Sequence, residues 1–139
     1  MRKRTLAREY ALQILYQIDI TKDACENTIV NFWQLSDIGE VDKEVADFTN
    51  ELVLGVVKNL KEIDKVISHY AANWEMERMS VVDRNILRMG SYELIFRKDI
   101  PPKVSINEAI DLSKRYSSPS AGKFVNGILD KIIPQKNSI

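Results

Sequence analysis

The residues best suited to binding chemistry are basic and lie near both ends of the 139-residue sequence. Arg4 and Arg8 are spaced i, i+4, which places both on one face of a helix. Ser120-Ala121-Gly122-Lys123 precedes the last apolar stripe, and a helix start of this composition favours a phosphate because its first backbone N–H groups lack intrahelical partners. Phe124 follows directly, and it either stacks on a base or packs in the core. These patterns indicate phosphate binding.

Catalytic and metal sites are not predicted. His69 is the only histidine and Cys25 the only cysteine, so this sequence predicts no zinc cluster, no intramolecular disulfide and no Ser/His/Asp triad. The segment before Lys123 is not a nucleotide-binding P-loop, since that motif requires glycine where Ser117 stands and serine or threonine where Phe124 stands. We therefore expect no enzymatic activity, no cofactor and no metal ion.

The net charge of zero conceals a segregation of charge along the sequence. Residues 1–10 carry four basic side chains and one acidic one, and residues 97–139 carry eight basic and four acidic ones. Residues 19–51 carry nine acidic and two basic side chains. If the two basic ends meet in the fold, they form a cationic surface able to follow RNA phosphates. Ordinary solvated helix faces are the alternative explanation.

The sequence contains no pattern typical of a signal peptide or a transmembrane helix, and this bears on the expected cellular compartment. A basic start, Met1-Arg2-Lys3-Arg4, is followed by no apolar run of signal-peptide length. No stretch of about 18 apolar residues occurs either, so no transmembrane helix is predicted. We expect a cytoplasmic protein that makes no membrane contact.

Hydrophobic periodicity predicts an all-α fold. Apolar residues from Ala7 to Ile18 recur at a period of 3.6 residues, similar stripes follow along the chain, and nothing alternates at period two. We expect about seven helices arranged as two small bundles that share one core, in a single domain of residues 1–139. The N-terminal subdomain is expected to cover about residues 1–76 and the C-terminal subdomain about residues 77–139.

Residues of capping type predict where the helices begin and end. Four expected N-caps precede apolar runs: Thr28, Asp42, Ser80 and Ser105. Pro134 is expected to end the last helix. The sequence leaves open whether the apolar pattern from Val45 to Trp74 is one helix or two. Gly90 is about 1 kcal/mol less favourable than alanine within a helix, which indicates a close helix crossing.

Three separated motifs resemble those of a known protein family. They are Arg4-x-x-x-Arg8-Glu9-x-Ala11-Leu12-Gln13-x-Leu15-Tyr16, Lys103-Val104-x-Ile106-Asn107-Glu108-Ala109-Ile110-x-Leu112, and Lys123-Phe124-Val125-Asn126-Gly127-Ile128-Leu129-Asp130-Lys131. The middle of the chain adds Asp83-Arg84-x-Ile86-Leu87-Arg88 and Tyr92-Glu93-Leu94. In this order the motifs resemble the NusB family of bacterial transcription antitermination factors, and the resemblance covers nearly the whole chain.

The resemblance implies two perpendicular three-helix bundles, binding to the boxA element of nascent ribosomal or phage transcripts, and a heterodimer with NusE, a small-subunit ribosomal protein. The implied RNA surface consists of Arg2, Lys3, Arg4, Arg8, Ser120, Lys123 and Phe124, with Lys103, Asn107 and Lys114 as additions. The implied NusE surface consists of Tyr16, Asp83, Arg84 and Arg88. Two departures bear on RNA affinity: the arginine run before Arg8 is shorter than in some relatives, and Ser120 stands where a relative can carry an acid.

Three alternatives remain open at the level of the sequence. One is a NusB-like domain of the kind fused to ribosomal RNA cytosine methyltransferases, although no catalytic domain is present in these 139 residues. Another is a helical protein-interaction or ribosomal-RNA-associated adaptor without antitermination activity. The third is a homodimer that buries the RNA surface when RNA is absent.

Overall fold

The computed structural model describes residues 2–35, 37–72 and 74–137, with side chains described up to residue 133. These residues form seven α-helices and no strand, so the all-α prediction is confirmed. The helices are α1 (Lys3–Thr21), α2 (Cys25–Leu35), α3 (Lys43–Lys58), α4 (Leu60–Tyr70), α5 (Val81–Phe96), α6 (Pro102–Tyr116) and α7 (Ala121–Asn137). A short 3₁₀ turn, Met76–Arg78, precedes α5.

The first compact unit, residues 1–58, consists of α1, α2 and α3. The apolar stripe of α1 packs mainly against α3, and α2 contacts both of its neighbours. Tyr10, Phe32 and Trp33 form an aromatic cluster with ring centroids 5.1–5.7 Å apart. The buried hydroxyl of Thr49 lies 2.8 Å from the carbonyl oxygen of Val45 and 3.1 Å from that of Ala7, and so it ties α3 to α1.

The second compact unit, residues 59–139, is built around α5, which contacts α4, α6 and α7. Gly90 lies at the crossing of α5 and α7: a Cβ atom at this position would stand 2.8 Å from Cδ1 of the buried Leu129. The close crossing expected from the sequence is therefore confirmed. Glu93, also buried, accepts a hydrogen bond of 2.8 Å from the hydroxyl of Ser105, which joins α5 to α6.

The units divide at residues 58 and 59, whereas the sequence placed the subdomain boundary near residue 76. The two apolar segments left open by the sequence are separate helices, since α3 ends at Lys58 and α4 begins at Leu60. The buried face of α4, with Ile63 and Ile67, contacts α5 and α7, and this packing places α4 in the second unit.

Two of the four expected N-caps are confirmed. The Asp42 carboxylate accepts the Glu44 N–H at 2.8 Å, and the Ser80 hydroxyl accepts the Asp83 N–H at 3.0 Å. The expectation for Thr28 is wrong, because α2 begins earlier, at Cys25, and the Thr28 hydroxyl donates to the carbonyl of Ala24.

Two further helix ends also differ from expectation. Ser105 is not an N-cap, since α6 begins at Pro102, where the fixed φ of proline suits a first helical position. Pro134 does not end α7, which continues to Asn137. A proline removes only one backbone donor, and the helix extends for only three residues beyond it. None of the helices in the described part of the chain is long and apolar enough to cross a membrane.

Candidate nucleic-acid interface

The N-terminal cations begin at the solvent-exposed start of α1, where Arg2, Lys3 and Arg4 are all exposed. Lys3 is nevertheless engaged, since its Nζ lies 3.3 Å from Oδ2 of Asp42 and 3.3 Å from Oε2 of Glu44. Hydrogen bonds to these two carboxylates raise the pKa of Lys3 above its ordinary value. The acidic segment thus neutralises part of the basic N-terminus within the same unit.

Asp42 has two roles in this contact. Its carboxylate caps α3 through the Glu44 N–H and also pairs with Lys3. The backbone hydrogen bond is the larger cause, and the Lys3 side chain the next, of a pKa of Asp42 that lies below its ordinary value. The Asp42 carboxylate therefore helps Glu44 to hold the start of α1 against the start of α3.

Arg4 and Arg8 both pack on Phe48 of α3. Their guanidinium carbons lie 4.3 Å and 5.3 Å from the ring centroid, within the range of a cation–π interaction. Arg4 is exposed, whereas only 2% of Arg8 is accessible to solvent. The structure thus places Arg8 inside the unit, where it stabilises the contact between α1 and α3 instead of facing solvent.

The C-terminal cations lie on two helices of the second unit. Lys103, Asn107 and Lys114 are all exposed and are spaced i, i+4 and i+11, which puts them on one face of α6. A Cβ atom at Gly122 would lie 3.7 Å from Cε of Lys114, so the lysine stem runs beside the first turn of α7. The structure therefore brings Lys114 next to the segment that contains Lys123.

The start of α7 is organised by two serines. The hydroxyl of Ser118 accepts the Ala121 N–H at 3.2 Å and lies 3.1 Å from the hydroxyl of Ser120. Ser120 and Lys123 are exposed, and Phe124 is half-buried. Ser118 was not predicted as a site residue, although its position three residues before Ala121 is a recognisable capping spacing.

A cavity of about 230 Å³ lies between the start of α5 and the start of α7. Its walls include Trp74, Asp83, Ser120 and Phe124. The rings of Trp74 and Phe124 meet edge to face, with centroids 5.7 Å apart, and Trp74 is 54% exposed. Two residues expected on the RNA side, Ser120 and Phe124, thus share a cavity with Asp83, which was expected on the NusE side.

Trp74 was not anticipated as a site residue. The sequence pattern assigned it to the apolar stripe of a helix, but α4 ends at Tyr70 and Trp74 lies in the connection before α5. The exposure of the Trp74 indole could be predicted only if the end of α4 were already known.

The residues expected to bind NusE differ in their accessibility. Tyr16, in the first unit, is 40% exposed. In the second unit, the Arg88 side chain is 12% exposed and forms two hydrogen bonds with Asp64, from Nε at 2.8 Å and from Nη2 at 2.9 Å. Arg84 donates to the carbonyl of Met76 at 3.4 Å. Arg88 therefore links α5 to α4, whereas Tyr16 presents a ring to solvent.

Sequence comparison identifies relatives that match almost the entire chain. The model of the NusB family matches residues 5–134. The transcription antitermination protein NusB of Anaeromyxobacter dehalogenans is 46% identical over 130 residues, which cover 94% of this chain and 89% of the relative.

Solved structures agree with this result. The T. maritima NusB structure is 36% identical, has a TM-score of 0.84 and covers 100% of this chain, with 99% of its own length matched. A crystal structure of the antitermination factors NusB and NusE in complex with double-stranded RNA contains a chain that is 32% identical, with a TM-score of 0.86 and coverage of 97% and 98%. With the family model matching nearly its full length, the chain belongs to the NusB family.

Proposed function

We propose that this chain is a transcription antitermination factor that binds boxA-type RNA of nascent ribosomal RNA transcripts together with NusE. Support comes from the relatives named as transcription antitermination proteins and from the solved complex of a related NusB with NusE and RNA. In this proposal residues 1–139 act as one RNA-binding domain, in the cytoplasm, where transcripts are made. The protein works by assembly and catalyses no reaction.

The observation that carries RNA binding is the exposed cationic face of α6 and the start of α7. Lys103, Lys114 and Lys123 are exposed, and no ion pair joins any of them to an acid within the described part of the chain. Lysines of this kind neutralise phosphates, while Asn107 and Phe124 offer an amide and an aromatic ring to unpaired bases. Ser120 adds a hydroxyl at the helix start, where a phosphate is favoured.

The N-terminal cations differ in how readily they can contact RNA phosphates. Arg2 and Arg4 are exposed and can reach phosphates directly, whereas Lys3 must first exchange its carboxylate partners for phosphate oxygens. Arg8 is buried and contributes by holding α1 against Phe48. Binding by the N-terminal segment therefore depends more on local rearrangement, and less on salt, than binding by the face of α6 does.

NusE binding is assigned to Tyr16, Asp83, Arg84 and Arg88. Tyr16 offers a half-exposed ring, the kind of side chain that anchors protein interfaces. Arg88 acts through its hydrogen bonds to Asp64, which fix the surface of α5. Asp83 and Arg84 lie on the first turn of the same helix, about one turn before Arg88.

A binding titration tests the proposal. A boxA RNA, single-stranded and as a duplex, is titrated with and without NusE at several salt concentrations. Phosphate-driven binding should weaken with salt, with a logarithmic slope of roughly 0.7 per contact for a single strand, and NusE should tighten it. A scrambled RNA of equal length serves as the control. Binding that is equally tight for boxA and scrambled RNA, or absent in both, contradicts the proposal.

A further inference from the structure

Two apolar side chains are exposed on the outer surface of the first unit, one on α2 and one on α3. Val30 is 50% exposed and Leu54 is 45% exposed. Both lie close to the hydrogen bond that joins the two helices, from Nε1 of Trp33 to Oδ1 of Asn50 at 2.9 Å. Val30 precedes Trp33 by three residues and Leu54 follows Asn50 by four, so each lies one helical turn from this contact and on its side of the helix.

The directions of the helices bring these two side chains to one groove. α1 and α3 run parallel, since Lys3 pairs with Glu44 and the Ala7 carbonyl accepts a hydrogen bond from Thr49. α2 follows α1 after a connection of only three residues, which makes α2 antiparallel to both. In an antiparallel pair, the turn that precedes the contact on one helix lies opposite the turn that follows it on the other. The exposed valine and leucine therefore flank the same part of the groove between α2 and α3.

The two sides of the α2–α3 pair differ in what covers them. α1 packs on the inner side, where Phe32 of α2 and Val53 of α3 are buried. On the outer side, the half-buried Trp33 lies at the floor of the groove, and the two exposed apolar side chains lie along its edges. Apolar residues on the outer edges of a helix pair are suited to a further helix that packs against both.

The charge around this groove is negative. Glu26 lies one turn before Val30, Glu51 lies three residues before Leu54, and Asp37 follows the end of α2; all three acids are exposed. The only two lysines of residues 19–51 form ion pairs with other acids of that stretch, so they leave its excess of negative charge in place. Such a surface repels RNA phosphates and is complementary to a basic partner.

We propose that the groove between α2 and α3 binds a basic amphipathic helix of another protein. Its apolar residues pack on Val30 and Leu54, and its lysines or arginines face the surrounding acids. α2 has 11 residues and is therefore about 16 Å long, which matches about three turns of a partner helix with anchors spaced i, i+3, i+4 and i+7. The inference goes beyond the proposed function, because no residue assigned to RNA or to NusE lies on α2 or α3.

Amide NMR spectra of the full chain test the groove with a synthetic peptide. The peptide is capped at both ends, has leucines spaced i, i+3, i+4 and i+7, and has lysines at its other positions. It should shift the backbone amides of α2 and α3, and it should bind about tenfold more tightly than a peptide of the same composition whose leucines do not share a face. A peptide with glutamate in place of lysine should not bind.

Variants of the groove locate the binding energy. Val30→Asn and Leu54→Asn should each weaken binding of the lysine–leucine peptide by about tenfold, as expected for the loss of an apolar anchor. Val104→Asn is the matched control, because it removes an apolar side chain of similar exposure, 42%, from α6, and it should bind the peptide as wild type does. Circular dichroism verifies that the helices of each variant are intact.

Fluorescence gives a second readout at the floor of the groove. Trp74→Phe leaves Trp33 as the only tryptophan, and its emission should move to shorter wavelength when the peptide covers it. Adding Leu54→Asn to this variant should require about tenfold more peptide for the same shift. An emission that the peptide does not change, although the peptide binds, would place the peptide elsewhere and overturn the proposal.

Three further outcomes would also show that the proposal is wrong. If Val30→Asn and Leu54→Asn leave the affinity for the peptide unchanged, the groove is not its binding site. If Leu54→Asn lowers capture of NusE, the groove belongs to the NusE interface and not to a further partner. If the wild-type protein alone sediments as a dimer that Leu54→Asn converts to a monomer, the groove joins two copies of this chain.

Discussion

The two units differ in how they hold several of the basic residues that are expected to bind RNA. In the first unit, Lys3 is paired with two carboxylates, and Arg8 is buried against an aromatic ring. In the second unit, Lys114 and Lys123 are exposed on α6 and α7, without an ion pair among the residues described. The count of basic residues in a sequence segment therefore does not measure the charge available to a ligand. The acidic residues around position 42, close to the N-terminal cations in space, account for much of the difference.

Arg88 shows that a cation of the second unit can also be internal. Arg88→Ala should lower the free energy of unfolding by about 2 kcal/mol, because it removes two charge-assisted hydrogen bonds and leaves Asp64 without its partner. Urea denaturation measures the change. Lys103→Ala, at an exposed position, should stay within about 0.5 kcal/mol of wild type. Equal losses in the two variants would contradict the distinction between internal and exposed cations.

A double-mutant cycle sharpens this prediction. If the effect of Arg88 is carried by Asp64, then Asp64→Ala should cause a loss similar to that of Arg88→Ala, and the double variant should lose little more than either single variant. Additive losses would indicate that Arg88 acts through other contacts.

Gly90 tests the crossing of α5 and α7, and Gly127, where an added Cβ would meet open space, serves as its control. Gly90→Ala should lower stability by about 1 kcal/mol, because overpacking against Leu129 outweighs the gain in helix propensity. Gly127→Ala should raise stability by about 0.5–1 kcal/mol, since nothing lies within 4 Å of a Cβ atom there. Thermal and urea unfolding measure both changes. A stabilised Gly90→Ala variant would mean that the crossing adjusts easily.

The comparison of the two units predicts different contributions to RNA binding. Lys114→Gln and Lys123→Gln should each reduce the salt slope of binding by roughly 0.7, the value for one phosphate contact with a single strand. Lys3→Gln should reduce it less, because Asp42 and Glu44 compete with RNA for the same ammonium group. Titrations at four or five salt concentrations give the slopes.

The complementary variant to Lys3→Gln removes one of the two acids that compete with RNA for Lys3. Glu44→Gln leaves the cap of α3 in place, because that cap is the Asp42 carboxylate. This variant should bind RNA more tightly than wild type by a small factor. Weaker binding would show that the acids position Lys3 for RNA instead of competing with it.

The sequence predicted the helices well because each has a continuous apolar stripe that must be buried. It also identified residue types suited to phosphate, at positions 114 and 123 among others. It did not predict the burial of Arg8, which depends on Phe48, a ring that lies 40 residues away in sequence and on another helix. The exposure of Trp74 was not predicted for a related reason. It follows from the end of α4 four residues earlier, and hydrophobic periodicity locates helix ends poorly.

The smallest predicted effect concerns the titration of Asp42. Its folded-state pKa lies below the ordinary value, so its contribution to stability is fully present above the unfolded-state pKa and is lost as the pH falls through the folded-state pKa. Lys3 has a raised pKa, so its contribution is present below the unfolded-state pKa and is lost as the pH rises through the folded-state value. The contact between Lys3 and Asp42 therefore persists across the neutral range, where an RNA phosphate proposed to bind Lys3 would have to compete with an intact ion pair.

The order of causes at Asp42 makes this prediction specific. In Lys3→Gln, the pKa of Asp42, measured by NMR of its carboxyl carbon, should rise only part of the way to the ordinary value, because the larger cause, the hydrogen bond from the Glu44 N–H, remains. Lys43→Gln serves as the control, because Lys43 pairs with Asp47, and it should leave the Asp42 titration unchanged. A complete return to the ordinary pKa in Lys3→Gln would mean that the ion pair, and not the helix cap, lowers the pKa of this carboxylate. The ion pair would then neutralise Lys3 more strongly, and the two units would differ more in the positive charge that is available to RNA.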